Sequence, residues 1–232
     1  MISIKGFQKT SLIDYAPYTA STIFLAGCNF RCPFCHNPDL VLNFKDLKDI
    51  PEQEIIDYIS KKKKWIDGVC ITGGEPTIYS NLPDFISKFK SLGIKVKLDT
   101  NGSNPEMIEE LLSKGLVDFI AMDIKSDIPN YEKLCNVPVI IQNIQRSVEL
   151  IKNSDIDYEF RTTAVPNLVG KKEILSIGSW LKGSKKFAIQ NFRASKPMID
   201  NNLKDIHSYS KQELNEMKDL VKEFFEEVEV RD

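Results

Sequence analysis

The sequence predicts a parallel α/β fold, either an open sheet or an incomplete barrel. Six short apolar runs alternate with six helical stretches at roughly 25-residue intervals from residue 20 onward. Most of these runs lack strict polar alternation, which suits strands covered on both faces. No Pro-, Gly- or Ser-rich linker divides them, so the 232 residues read as one domain.

Residues 1–19 form an N-terminal extension. The first strand is "STIFLAG" (21–27), followed by an irregular stretch over 38–50. A helix over 51–62 starts with Pro51 at its first position and buries Ile55, Ile56, Tyr58 and Ile59. "GVCIT" (68–72) is the second strand, and the helix over 82–92 aligns Leu82, Phe85, Ile86 and Phe89 before Gly93 stops it. "IKVKLDT" (94–100) is the third strand. The next helix has Asn104 as N-cap, a stripe of Met107, Ile108, Leu111 and Leu112, and Gly115 as terminator. "VDFIAMDI" (117–124), "YEFRTTAV" (158–165) and "KFAIQNF" (186–192) complete the strands. Helices over 137–153 and 171–182 connect them, the second interrupted by Gly178. The core thus spans 20–192, and 193–232 hold a long connection (193–209) and a C-terminal helix. That helix opens with the capping box Ser210-x-x-Glu213 and runs through Leu214, Met217, Leu220, Val221, Phe224, Phe225 and Val228. Both irregular stretches, 38–50 and 193–209, could lie over a site as lids.

A formal net charge of −2 gives no electrostatic case for a nucleic-acid binder. The one basic run, Lys61 to Lys64, reads as a solvated helix end whose lysines face the negative end of the helix dipole, with an acidic electron-donor protein as the other occupant. No membrane-spanning run and no signal-like N-terminus occur, which predicts a cytoplasmic protein. The five cysteines are an odd number, three of them crowded, unlike a secreted disulfide framework. Cys70 lies within an apolar strand and reads as a small buried hydrophobe, and Cys135 is uninformative.

In parallel α/β folds ligands sit at the C-terminal ends of the strands. There the chain places the cysteine loop "GCNFRCPFCHNPD", then Thr72-Gly73-Gly74-Glu75-Pro76, Asp99-Thr100-Asn101-Gly102, Asp123-Ile124-Lys125, Arg161 with Thr163, and Gln190-Asn191. A zinc site from Cys28, Cys32, Cys35 and His36 would strain the adjacent Cys35 and His36 and lacks a second ligand pair. A redox pair of Cys32 and Cys35 leaves Cys28 unexplained. An iron–sulfur cluster on three thiolates leaves one iron open to a small molecule. Paired glycines let backbone approach a ligand where a Cβ would collide, and a carboxylate accepts from an ammonium.

Cys28-x-x-x-Cys32-x-Phe34-Cys35 resembles the signature of the radical S-adenosylmethionine (SAM) enzymes. The resemblance implies that Cys28, Cys32 and Cys35 hold a [4Fe–4S] cluster whose fourth iron takes SAM, and that Gly73, Gly74 and Glu75 bind the methionine amino group. "KGFQKTSLIDY", "FLAGCNFRCPFCHNPDL", "ITGGEPT", "LDTNG" and "MDIKS" make the chain similar to the glycyl-radical-enzyme activases, most of all the longer form of the anaerobic ribonucleotide reductase activating proteins. That resemblance is strong over residues 5–126 and thins beyond. It implies a single-domain incomplete (β/α)6 TIM-like barrel. It also implies a monovalent cation near Asp99 and Asp123 beside SAM, with Lys125, Arg161 and Thr163 at SAM. Gln190 stands nearest to where a relative has a histidine.

The implied activity is reductive cleavage of SAM to a 5′-deoxyadenosyl radical that takes a glycine Cα hydrogen from a partner. The partner is a glycyl-radical enzyme such as anaerobic ribonucleotide reductase, with a flavodoxin- or ferredoxin-type electron donor. The alternatives are another glycyl-radical enzyme, a small molecule such as a 7-deazaguanine precursor, or a non-catalytic metal-binding protein. A bulky residue in place of Gly74 is expected to spare the cluster and abolish SAM binding.

Overall fold

The computed structural model describes residues 2–194 and 197–232. Eight strands form one sheet in sequence order: β1 (Ile4–Ser11), β2 (Ala20–Leu25), β3 (Gly68–Gly73), β4 (Lys95–Thr100), β5 (Phe119–Asp123), β6 (Asp157–Ala164), β7 (Ser184–Asn191) and β8 (Phe225–Arg231). β1 pairs antiparallel with β2, and every later pair is parallel. Among the described residues the edge strands β1 and β8 are not paired with each other, so the barrel is incomplete.

Helices α1 (Pro38–Leu42), α2 (Glu52–Lys62), α3 (Leu82–Ser91), α4 (Pro105–Ser113), α5 (Tyr131–Cys135), α6 (Ile141–Lys152), α7 (Lys171–Trp180) and α8 (Lys211–Val221) fill the connections. The expected stripes are the buried ones: Ile55 and Ile59 on α2, Phe85, Ile86 and Phe89 on α3, Ile108 and Leu111 on α4. Each such side chain contributes roughly 1.5–3 kcal/mol by leaving water. Asn104 caps α4 by accepting from Met107 N–H, and the Ser210–Glu213 capping box forms at α8. Pro51 flanks α2 as its N-cap, one position before the expected one. Gly178 does not interrupt α7. It lets α8 approach, because a Cβ there would meet Val221 Cγ1 at 2.6 Å.

Three expectations need correction. The N-terminal extension contains β1, and the C-terminal helix ends at Val221, so Val228 lies in β8. The six expected strands, β2–β7, are therefore flanked by one more on each side. Nor are all the strands apolar on both faces: β3, β5 and β7 bury Cys70, Ala121 and Ala188 toward the lumen, whereas β4 and β6 place charges there. Along β4 and β6, Val96, Leu98, Tyr158 and Phe160 join the apolar core, while the alternate positions Lys97, Asp99, Glu159 and Arg161 line a cavity inside the curved sheet.

The presumed lids are packed segments. Leu40 C=O accepts from Gly27 N–H at 2.7 Å, tying α1 to the end of β2. In the 193–209 connection, where residues 195 and 196 lie outside the described residues, Asp200 N–H donates to Pro33 C=O at 2.9 Å. Lys61 and Lys62 end α2, which leads into the N-terminal end of β3. The lysine run therefore stands about 20 Å, one strand length, from the cysteine rim. Among the described residues no helix is long and apolar enough to cross a membrane.

Candidate active site

The loop after β2 carries Cys28, Cys32 and Cys35 onto the C-terminal rim of the sheet. It is held from several sides. Arg31 Nη1 donates to Cys28 C=O at 2.6 Å, Arg31 N–H donates to Cys135 C=O at 2.8 Å, and Cys35 N–H donates to Cys32 C=O at 3.1 Å. The three thiols open into a cavity of about 190 Å³ whose other walls include Gly73, Gly74, Glu75, Asp99, Asp123, Lys125 and Thr163. Residues far apart in sequence thus meet because each terminates or follows a parallel strand.

The glycine pair is required by the protein itself. Gly73 has φ +118°, and a Cβ on it would lie 2.4 Å from Leu25 C=O; on Gly74 it would lie 1.8 Å from Gly27 C=O. The expectation that a bulky residue at Gly74 would spare the cluster is therefore revised, because Gly27 immediately precedes Cys28. Glu75 ties two strand ends together. Its Oε1 accepts from Thr77 N–H (3.0 Å), Thr77 Oγ1 (2.5 Å) and Thr100 Oγ1 (2.7 Å), and its Oε2 accepts from Asn101 N–H at 2.6 Å. Burial raises the Glu75 carboxyl above its ordinary range, and these donors counteract part of that rise.

Deeper in, Arg161 Nε donates to Asp123 Oδ1 at 2.8 Å, its Nη1 lies 3.4 Å from Asp99 Oδ2, and Lys125 Nζ donates to Asp123 Oδ2 at 3.1 Å. Burial is the largest single influence on Asp99 and Asp123 and opposes their ionisation, but Arg161 and the nearby lysines (Lys97 for Asp99, Lys125 for Asp123) together outweigh it and hold both carboxyls below the usual range. Asp99 Oδ1 is buried without a hydrogen bond, with Lys97 Nζ 3.4 Å away.

Gln190 does not line the cysteine cavity. With Arg161 it lines a second cavity of about 720 Å³ inside the sheet, bounded by residues 12–16 and by β4, β6, β7 and β8, and Asp99 borders both cavities. Sequence reasoning named Asn101 as a strand-end residue without giving it a role. Its side-chain amide donates to Asn29 Oδ1 at 2.9 Å within the cysteine loop, and its position in "DTNG" was the available signal.

The thiols differ. Burial and then the Glu75 charge push Cys28 up to about 12, and burial raises Cys35. Cys32 goes the other way, to about 7, because the Cys135 thiol as a hydrogen-bond partner outweighs burial.

The family model described as "Radical SAM superfamily" matches residues 22–173, from β2 into the start of α7. The chain belongs to the radical SAM superfamily. Its relatives include a protein named putative glycyl-radical enzyme activating enzyme from Methanocaldococcus jannaschii, 32% identical over 98% of this chain and 95% of that one. A pyruvate formate-lyase-activating enzyme from Clostridium pasteurianum is 25% identical over 96% of this chain and 98% of that one. The crystal structure of Streptococcus suis SuiB bound to S-adenosylmethionine shares the fold, with a TM-score of 0.62 at 15% identity over 92% of this chain. The chain spans about half of that longer protein, 46%.

Membership in the radical SAM superfamily implies a [4Fe–4S] cluster and SAM, and the residues present fit both. Three thiols of soft-ligand chemistry face one cavity, and the side walls of that cavity carry the carboxylates of Asp99 and Asp123 and the glycine pair whose Cβ positions the backbone fills. Among the described residues no three His, Cys, Asp or Glu side chains are gathered for a single ion. The chain is accordingly a radical SAM enzyme.

Proposed function

We propose that this enzyme activates a glycyl-radical enzyme by taking a hydrogen from a glycine Cα of that partner. The observation that carries the reading is the near end-to-end similarity to a protein named as an activating enzyme of that kind. Cys28, Cys32 and Cys35 would hold the cluster. Gly73, Gly74, Glu75, Asp99, Asp123, Lys125, Arg161 and Thr163 would surround SAM. A monovalent cation would sit near Asp99 and Asp123, both of which border the cysteine cavity. When bound, the cluster and SAM supply one electron and a primary carbon radical. The chain's own residues orient and shield. Burial works against the Lys125 charge, but Asp123 together with the neighbouring Cys32 and Tyr131 outweighs it and holds Lys125 positive beside the cysteine cavity. Phe30, Phe34 and Val41 line the cavity and limit water.

The gap between β1 and β8 supports a macromolecular substrate. The second cavity is bordered by β8 and by Leu12 and Ile13, just beyond β1, which are 70% and 84% exposed, and Asp99 borders both it and the cysteine cavity. A glycine-bearing loop entering at that gap would approach the SAM site from the lumen. In this reading Gln190 faces the incoming loop. Anaerobic ribonucleotide reductase is the proposed partner, and a flavodoxin or ferredoxin is the proposed donor, docking on the cysteine rim. The free, mostly buried thiols fit a reducing cytoplasm.

The test is anaerobic reconstitution with iron and sulfide, followed by SAM, a reductant and candidate partners. The expected results are 5′-deoxyadenosine and a glycyl radical signal in electron paramagnetic resonance. SAM cleavage without a glycyl radical on any candidate would redirect the reading to a small-molecule substrate, and no cleavage by a fully loaded cluster would end it.

A further inference from the structure

The three most exposed large apolar side chains among the described residues are Ile13, Trp65 and Leu12, at 84%, 77% and 70%. All three lie at the base of the sheet, the end opposite the cysteine rim. Leu12 and Ile13 open the loop between β1 and β2, and Trp65 stands in the turn between α2 and β3. The strand register brings these segments together, because Ser11 pairs with Ala20 and Ala20 with Gly68. Asp67 N–H donates to Thr19 C=O at 2.8 Å, and Thr19 N–H donates back to Asp67 Oδ2 at 2.9 Å. Single exposed apolar residues are ordinary, but three on adjoining loops mark an interaction surface.

Positive charge flanks them. Lys61 to Lys64 and Lys95 are exposed, and among the described residues none of the five enters a salt bridge. Lys63, Lys64 and Lys95 line a surface hollow of about 440 Å³ with Tyr18, and Lys95 Nζ stands 5.0 Å from the centre of the Tyr18 ring. Asp67 is the one acid on that lining, and Thr19 N–H engages its carboxylate. A chain of net charge −2 thus presents a base that is locally positive and apolar.

A protein with an apolar hollow ringed by carboxylates fits this base, as does an anionic lipid surface. The lumen decides between them. Leu12 and Ile13 also border the second cavity, which reaches Asp99, and Asp99 borders the cysteine cavity. A protein held at the base can send a loop along that path, about six extended residues over about 20 Å. A lipid surface has no loop to send.

We propose that Leu12, Ile13, Trp65 and Lys61 to Lys64 form the docking surface for the substrate protein, whose facing patch is apolar with an acidic rim. The inference rests on the activation of a partner protein proposed above. Trp65 is the anchor, since tryptophans on this scale of exposure carry much of an interface's energy once covered. The lysines steer the encounter, an effect that salt screens.

The reconstituted enzyme is mixed anaerobically with SAM, a chemical reductant and anaerobic ribonucleotide reductase, and the initial rate of glycyl radical formation is followed against reductase concentration. Trp65→Ala should raise the KM for the reductase about tenfold, the scale of an interface anchor. Lys63→Glu/Lys64→Glu should raise it at low salt and approach wild type at high salt. Leu175→Ser, at an exposed leucine on α7, is the control and should match wild type. SAM cleavage without reductase, read as 5′-deoxyadenosine, should be equal in all four, which separates docking from damage to the SAM site. A wild-type KM in both Trp65→Ala and the lysine variant would overturn the proposal. If, in addition, vesicles of phosphatidylglycerol and phosphatidylcholine sedimented wild type but not Trp65→Ala, the base would belong to a membrane instead. Failure of the activation reading looks different: wild type itself would cleave SAM and leave no radical on the reductase, and the docking surface would fall with it.

Discussion

Gly74 stands so close to Gly27 that a Cβ on Gly74 would lie 1.8 Å from the Gly27 carbonyl oxygen, the same oxygen that accepts from Glu75 N–H at 2.8 Å. The contact locks the end of β3 to the residue before Cys28. Gly74→Ala should therefore lower iron loading as well as stability, by about 1–3 kcal/mol as for an overpacked core. Gly93→Ala is the control. Gly93 also has a positive φ (+78°), but nothing lies within 4 Å of its would-be Cβ, so iron loading should stay at the wild-type level. Normal iron content in Gly74→Ala would refute the coupling.

Arg161, itself largely buried, serves two half-buried carboxylates at once, Asp123 and Asp99. Arg161→Met leaves both without their principal cation and should cost about 3–5 kcal/mol in denaturant unfolding. Arg161→Lys keeps the charge but presents a point in place of a fork, so it should recover part of that loss. Full recovery by lysine would show that the two-way bridge is unimportant.

Glu75 has donors on both oxygens. Glu75→Gln must turn an amide N–H toward at least one of them, an expected cost of about 1–3 kcal/mol for the mismatched buried group. Urea titration of the cluster-free chain isolates this from any effect on SAM.

The edge strand β8 should be sensitive to acid. The hydrogen bond from Arg231, helped by Lys186 and opposed by burial, holds the Glu229 carboxyl down to about 2. An unfolded glutamate titrates near about 4.3, so the native state stabilises the ionised form. That contribution is fully present above about 4.3 and is lost as the pH falls toward about 2. The pair is partly solvated, so the contribution is under about 1 kcal/mol and shrinks with salt. Glu229→Gln should trail wild type slightly at neutral pH and converge with it in acid. A gap that does not change with pH would exclude the ion pair as its source.

The parallel core was legible because strands β2–β7 each end a short apolar run, and the rim residues follow from where those runs turn polar. β1 was not, since "IKGFQKTS" is an edge strand whose Gln8, Lys9 and Thr10 face water. β8 was masked by coincidence. Phe224 and Val228 continue the 3–4 residue spacing of Leu214, Met217 and Val221, so a helix stripe ran on into a strand. Charge in the lumen was unreadable because Arg161 meets Asp99, and Arg231 meets Glu159, only once the curved sheet brings the alternate strands β4, β6 and β8 to face one lumen. Within the site, the cysteine spacing pointed to the loop. The reason for Gly74 and the place of Cys135 depend on contacts between residues far apart in sequence, which spacing does not encode.

The bond from Asp200 to Pro33 bears on how the enzyme is made. On a ribosome the three cysteines emerge early, but the groups that brace their loop emerge late: Cys135, the Phe192 ring stacked on His36, and Asp200. A chain still being translated presents thiols without a finished cradle. Cluster delivery is thus a step for the completed polypeptide, and a truncation that removes the segment around residue 200 should leave thiols open to oxidation before iron can protect them.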